Sequence, residues 1–211
     1  MMANDIQRAT MRIADFGVAA KLLNKIPQDV QKIIQYTKEL DKVMTDIRIV
    51  TGATADEVKD MMRDYGDAAQ KLGVTLTEVG TSASEWMRQG YEGAEVLDLI
   101  ESSTKLATLG FMSQTDATKS LTAMMKSFNI AANDTIDIVD KLTKLDQVSA
   151  ISAGELAEGI SRVATTAQQA GLSIDQTAAA ISVLTEQTQR DAGSMGDALR
   201  TIIVRFQNVK A

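Results

Sequence analysis

Apolar residues return every three or four positions along almost the whole chain, the spacing of one buried helix face, and no stretch alternates as a half-buried strand would. The pattern is clearest from Ser149 to Phe206. There Ser152 precedes Leu156, Ile160, Val163 and Ala167; Ser173 precedes Ala178, Ile181 and Leu184; Ser194 precedes Leu199, Ile202, Phe206 and Val209. A serine oxygen accepts from the orphaned N–H groups of a helix's first turn, and glycine readily takes the left-handed conformation that closes a helix. These three serines, with Gly171 and Gly193, therefore predict three short helices joined by tight turns.

The same punctuation runs through the rest of the chain. Asp5 to Leu23 reads as an amphipathic helix through Ile6, Ile13, Phe16, Ala20 and Leu23, and Pro27 ends it. A second helix is predicted from Pro27 or Gln28 to about Val50, because proline suits a first helical turn. Within it Ile26, Val30, Ile33, Thr37, Leu40, Met44 and Ile47 step alternately by four and three, a heptad seam of about three repeats. Two readings fit. Either Ile26, Val30, Ile33, Leu40, Met44 and Ile47 form an oligomer seam with another chain, or one long helix lies on its own bundle, as the polar Thr37 favours.

Beyond Thr51 and Gly52, Thr54 caps a helix with the face Val58, Met61, Met62, Tyr65, Ala69 and Leu72. Thr75 caps the next, with Leu76, Val79, Ala83, Trp86 and Met87, and Val96, Leu97, Ile100 and Ala107 mark another. Ser113 caps Ala117, Leu121, Met124, Met125 and Phe128, and Asn133 is expected to cap Ile138, Val139, Leu142 and Leu145. Breaks fall near Gly73, Gly93, Gly110, Asn129, Ser149, Gly171 and Gly193, so successive helix pairs would form hairpins of about forty residues, in the range of helical repeats. The expected fold is all-α: an N-terminal helical arm over residues 1–50, then a multi-helix domain over 51–211. That domain is either a solenoid-like array of hairpins or an irregular bundle. The helical pattern reaches Lys210 and Ala211 without a stop signal, so the chain reads as part of a longer one.

Composition narrows the chemistry. The chain has 45% apolar but only 4% aromatic residues, one proline, no cysteine and no histidine among 211 residues. Disulfides, thiolate metal sites and the usual nucleophile and base pairs cannot be assembled from this set, so an enzyme would run on carboxylates, lysine or hydroxyls. No cofactor is expected. A net charge of −6 disfavours stable nucleic-acid binding, which rests on lysine and arginine neutralising phosphates. No basic leader with a short apolar core opens the chain, and no run of about 18 apolar residues offers a transmembrane segment.

Several residues invite a sharper reading. Asp56 with Asp60, and Glu155 with Glu158, have spacings that suit a metal or an acid and base pair, but such pairs are usually a solvated helix face. Met61, Met62, Met124 and Met125 fit an adaptable binding groove or, more commonly, a helical core. Trp86 fits a partner's hot spot or a fixed helix crossing, and the crossing is favoured in so aromatic-poor a chain. Arg190, Arg200, Arg205 and Lys210 make the C-terminal part basic, as an ion-paired surface would be.

The segment GLSIDQTAAAISVLTEQTQRDAGSMGDALRTIIVRF resembles the most recognisable part of the tape measure proteins of long-tailed bacteriophages: a Gly-hydrophobe-Ser opening, an Ala-rich helix, a Gly-Ser element and an Ala-Leu-Arg helix. Upstream, VTGATADEVKDMMRDYGDAAQKLGVTLTEVG is similar to the family's Thr-Gly and Leu-Gly-x-Thr passages in the same order, so the resemblance covers roughly residues 50–206. It departs in TEQTQRDAGS, which is more polar than the family's pattern before Gly-Ser.

The resemblance implies a structural protein of the virion, held inside the tail and made in the host cytoplasm. It implies a part in setting tail length, in assembly and in DNA delivery. The implied partners are the tail tube, the tail tip and tail assembly chaperones, with no small-molecule substrate; self-association through the N-terminal arm is an expectation from the heptad seam alone. So many glycine breaks suit a folded module better than a ruler helix, which would have to lie elsewhere in a parent chain. A helical scaffold or adaptor unrelated to tails is the second reading, and a carboxylate enzyme the third.

Overall fold

The computed structural model describes residues 28–209. The helix expected over Asp5–Leu23, and Ile26 of the expected seam, lie outside them. Among the described residues there is no strand, and nine α-helices follow one another: α1 Gln28–Thr51, α2 Ala55–Leu72, α3 Leu76–Arg88, α4 Ala94–Leu109, α5 Gln114–Phe128, α6 Thr135–Val148, α7 Ala153–Gln169, α8 Ile174–Thr188 and α9 Ala192–Val209. A 3-10 turn, Ala132–Asp134, precedes α6. The chain divides into two compact units, one ending at Lys42 and one beginning at Val43. The described part of the first is the start of α1, with Val30, Ile33, Ile34 and Tyr36 exposed along it.

In the second unit the helix starts follow the sequence closely. Thr54, Thr75, Ser152 and Ser173 each accept from the backbone of the residue three on. The side chain of that residue, Glu57, Glu78, Glu155 or Gln176, accepts from the cap's own N–H, so two orphaned donors are satisfied at each start. Ser113 also accepts from the N–H three residues on, that of Asp116. Two expected starts differ. Asn133 lies within the 3-10 turn and caps nothing; Asp134 precedes α6 without a side-chain bond. Ser194 is not a cap, because α9 begins two residues earlier and Asp191 accepts from both the N–H and the hydroxyl of Ser194 at 2.7 Å. Those bonds hold the Asp191 carboxyl below its ordinary pKa.

The helices from α4 onward form two copies of one three-helix unit, longer than the forty-residue hairpin that the spacing suggests. Phe111 and Gly171, both left-handed, stand sixty residues apart; so do the caps Ser113 and Ser173, and the left-handed helix ends Asn129 and Gln189. The buried pair Ala132 and Ala192 keeps the same offset, and the 3-10 turn occupies the place of the first turn of α9. In each copy the first helix ends at the left-handed turn, the second runs from the serine cap to the next left-handed residue, and the third packs back on the first. Helices α2 and α3 pack on one another and on α4, ahead of the first copy.

The core is aliphatic. Leu99, Ile100, Leu106, Leu121, Leu156, Ile160 and Ile181 are all buried, and Trp86 is fully buried with its ring edge-on to Tyr91, centroids 5.8 Å apart. Met62, Met124 and Met125 are core residues too, and Met61 is half-buried. Tyr65 is buried on α2, and loss of solvation there pushes its phenol up to about 12 from an ordinary 10. Between those values the unfolded chain gives up the proton while the folded chain keeps it, so stability falls as pH rises from about 10 towards 12. Alkaline unfolding followed by circular dichroism should show this loss, and Tyr65→Phe should blunt it.

Candidate functional site

Helix α7 is the packing centre of the second unit, in contact with α4, α5, α6, α8 and α9. Two of its glycines make that possible. A Cβ on Gly110 would sit 2.7 Å from the Gly154 nitrogen, and one on Gly154 would run into the Gly110 carbonyl oxygen. A Cβ on Gly159 would sit 2.6 Å from the Ala192 carbonyl oxygen, and one on Gly196 would strike the Gly159 carbonyl oxygen. Backbone thus lies on backbone at both crossings, nearer than any side chain permits. Gly193, expected to end a helix, is instead buried inside α9, where a Cβ would come within 2.9 Å of Glu158 Oε1 and 3.0 Å of Arg162 Nε. Over it Arg162 donates to Glu158 and, at 2.9 Å, to Asp197 of α9, while Arg200 pairs with the same Asp197 at 3.1 Å. The bonds to Glu158 and Asp197 raise the Arg162 guanidinium above its ordinary pKa.

The other expected groups have local partners. Asp56 pairs with Lys59 at 3.1 Å and Asp60 with Arg63 at 2.8 Å, Glu155 closes a capping box, and Glu158 holds Arg162. Among the described residues no group of three acidic, histidine or cysteine side chains is placed to hold a metal ion, and no helix is long and apolar enough to cross a membrane. Glu85 has a carboxyl raised by burial, an effect that Lys119 and Arg88 oppose, beside a groove of about 470 Å³ that Thr118 and Thr165 also line. A polar junction that the helical pattern does not show joins α3, α4 and α5. Ser82 and Ser103, both buried, lie 3.2 Å apart, and the Gln114 amide donates to both hydroxyls at 3.1 and 2.9 Å. It fixes the register of three helices and holds no reactive pair.

The expected oligomer seam is split by the structure. Val30 and Ile33 are exposed, Leu40 and Met44 are half-buried, and Ile47 has no exposure at all. Ile47 belongs with Val43, which packs on Gly80 of α3, so it is part of the second unit's own core and leaves the seam. Ile34 and Tyr36, which the heptad count passes over, are exposed beside Val30 and Ile33. The signal for Ile34 was its place four residues after Val30.

A helical unit closed by glycine crossings, with the acidic pairs that the sequence singles out tied up in a cap and in ion pairs, is built for packing. The chain belongs to the phage-related minor tail protein family, whose sequence model matches residues 59–211. It is similar to a tape measure protein of Pneumococcus phage Dp-1, 22% identical over 170 residues that make up 81% of this chain and 14% of the phage protein. The chain therefore spans about a seventh of that relative's length. No solved structure matches it. The class is thus a structural component of phage tails.

Proposed function

We propose that this chain is a folded module of a tape measure protein, acting in tail assembly and DNA delivery, while longer helices elsewhere in the parent set tail length. The family match over a compact unit of short helices is the observation that carries this reading. The longest helices of that unit's interior have 18 residues, about 27 Å at 1.5 Å per residue, so they make poor rulers. The module acts without catalysis, cofactor or small-molecule substrate. It resides inside the tail of the virion after assembly in the host cytoplasm, and its partners are the tube, the tip and the assembly chaperones. Mass spectrometry of purified tails should find peptides of this chain within one much longer polypeptide. Their absence from tails would overturn the reading.

Self-association through α1 is part of the same proposal, with Val30, Ile33 and Leu40 as the contact. Val30→Lys with Ile33→Lys should turn an oligomer into a monomer without loss of helical signal, since both side chains are exposed. A mass from light scattering that is monomeric before any substitution would remove this contact.

A further inference from the structure

The sixty-residue repeat allows each surface of the second copy to be compared with its counterpart in the first. In the first copy α7 lies over α5: the Ser127 hydroxyl meets the Thr165 hydroxyl of α7 at 3.0 Å, Ser120 is buried, and Met124 is 0% exposed. Sixty residues on, the same stripe of α8 reads Ala180, Val183, Leu184 and Gln187. Ala180 and Leu184 are half-buried there, Gln187 is exposed, and Val183 is 57% exposed. The third helices show the same difference. Leu142 of α6, which packs beside α7, is 2% exposed, whereas its counterpart Ile202 of α9 is 45% exposed and Phe206, one turn further, is 71% exposed. Both helices are less covered in the second copy than in the first, where α7 packs on α5 and α6.

We infer that the face made by Val183 and Leu184 of α8 with Ile202 and Phe206 of α9 is a docking surface for one more helix of the α7 kind, supplied by the continuation of the same polypeptide. The inference rests on the proposed reading of the chain as a module of a longer protein, and the Dp-1 relative, about six times the length of this chain, has room for such a continuation. A second copy of this chain is the poorer occupant. Its own α4 and α7, the helices equivalent to the missing one, are already covered, α4 by α2 and α3 and α7 by α4, α5 and α6.

The chain has no cysteine, so Val183→Cys introduces a single thiol whose alkylation rate reports cover at that position. The rate is measured in this chain and in the polypeptide extended by the forty or so residues that follow it in its gene, with Asp67→Cys on the exposed side of α2 as control. The inference predicts that extension slows alkylation at 183 by about tenfold or more and leaves that at 67 unchanged. Equal rates at 183 would overturn it. So would protection in the short chain that grows with concentration, because a second copy would then be the occupant. A gene that stops at Ala211 would sink the module reading itself, an outcome distinct from equal rates in an extended chain.

Discussion

Gly196→Val should destabilise the second unit by at least about 3 kcal/mol, a large part of the 5–15 kcal/mol that holds an ordinary domain together. The new Cβ meets the Gly159 carbonyl oxygen, which is backbone inside α7 and cannot rotate away, so relief comes only by parting α7 from α9. Gly159→Val should cost as much, because its Cβ meets the Ala192 carbonyl in the same crossing. The two together should cost less than their sum, since both lose the same crossing. Gly66→Ala is the internal contrast. It lies in α2 with open space where a Cβ would go, so exchanging glycine for a better helix former should stabilise by about 0.5–1 kcal/mol. Urea unfolding followed by circular dichroism measures all four variants. A Gly196→Val chain as stable as the parent would mean that the helices do not cross at this distance.

Glycine is also where the sequence is least legible, because it serves two opposite purposes. Gly73 and Gly171 end helices in the left-handed conformation, as their positions after the last apolar residues suggest. Gly154, Gly159 and Gly196 do the reverse, continuing helices that must touch backbone, Gly193 leaves room for the Arg162 and Glu158 side chains, and nothing in the local pattern separates these uses. The caps were legible because a hydroxyl residue followed three on by glutamate or glutamine is a local signal with one physical meaning. The sixty-residue repeat was hidden by its left-handed turns, where Phe111 corresponds to Gly171 and Asn129 to Gln189, so identity is lost although the backbone is the same. A heptad count registers apolar spacing but not which apolar residues a neighbouring helix claims, and Ile47 was claimed by the chain's own core.

The polar junction of Ser82, Ser103 and Gln114 had no signal, since the three residues lie on separate helices and meet only after packing. The role of Arg162 was equally hidden, as its partner Asp197 lies thirty-five residues away. Family membership was more accessible than either. The resemblance was read from small residues and caps in order, and the small residues are among the features that determine how closely these helices pack.

Tail length after deletion tests the folded-module account most directly. A segment stretched as continuous helix contributes about 1.5 Å of tail per residue, so removing residues 50–206 from the parent would shorten the tail by about 235 Å. The account predicts a shortening of no more than about 30 Å, the span of a single helix in the folded unit, with the damage in assembly yield or infectivity instead. Electron micrographs of tails from the deleted phage, beside those of the parent, measure the difference. Shortening near the full 235 Å would contradict the account, and would mean that these helices are drawn out in the tail.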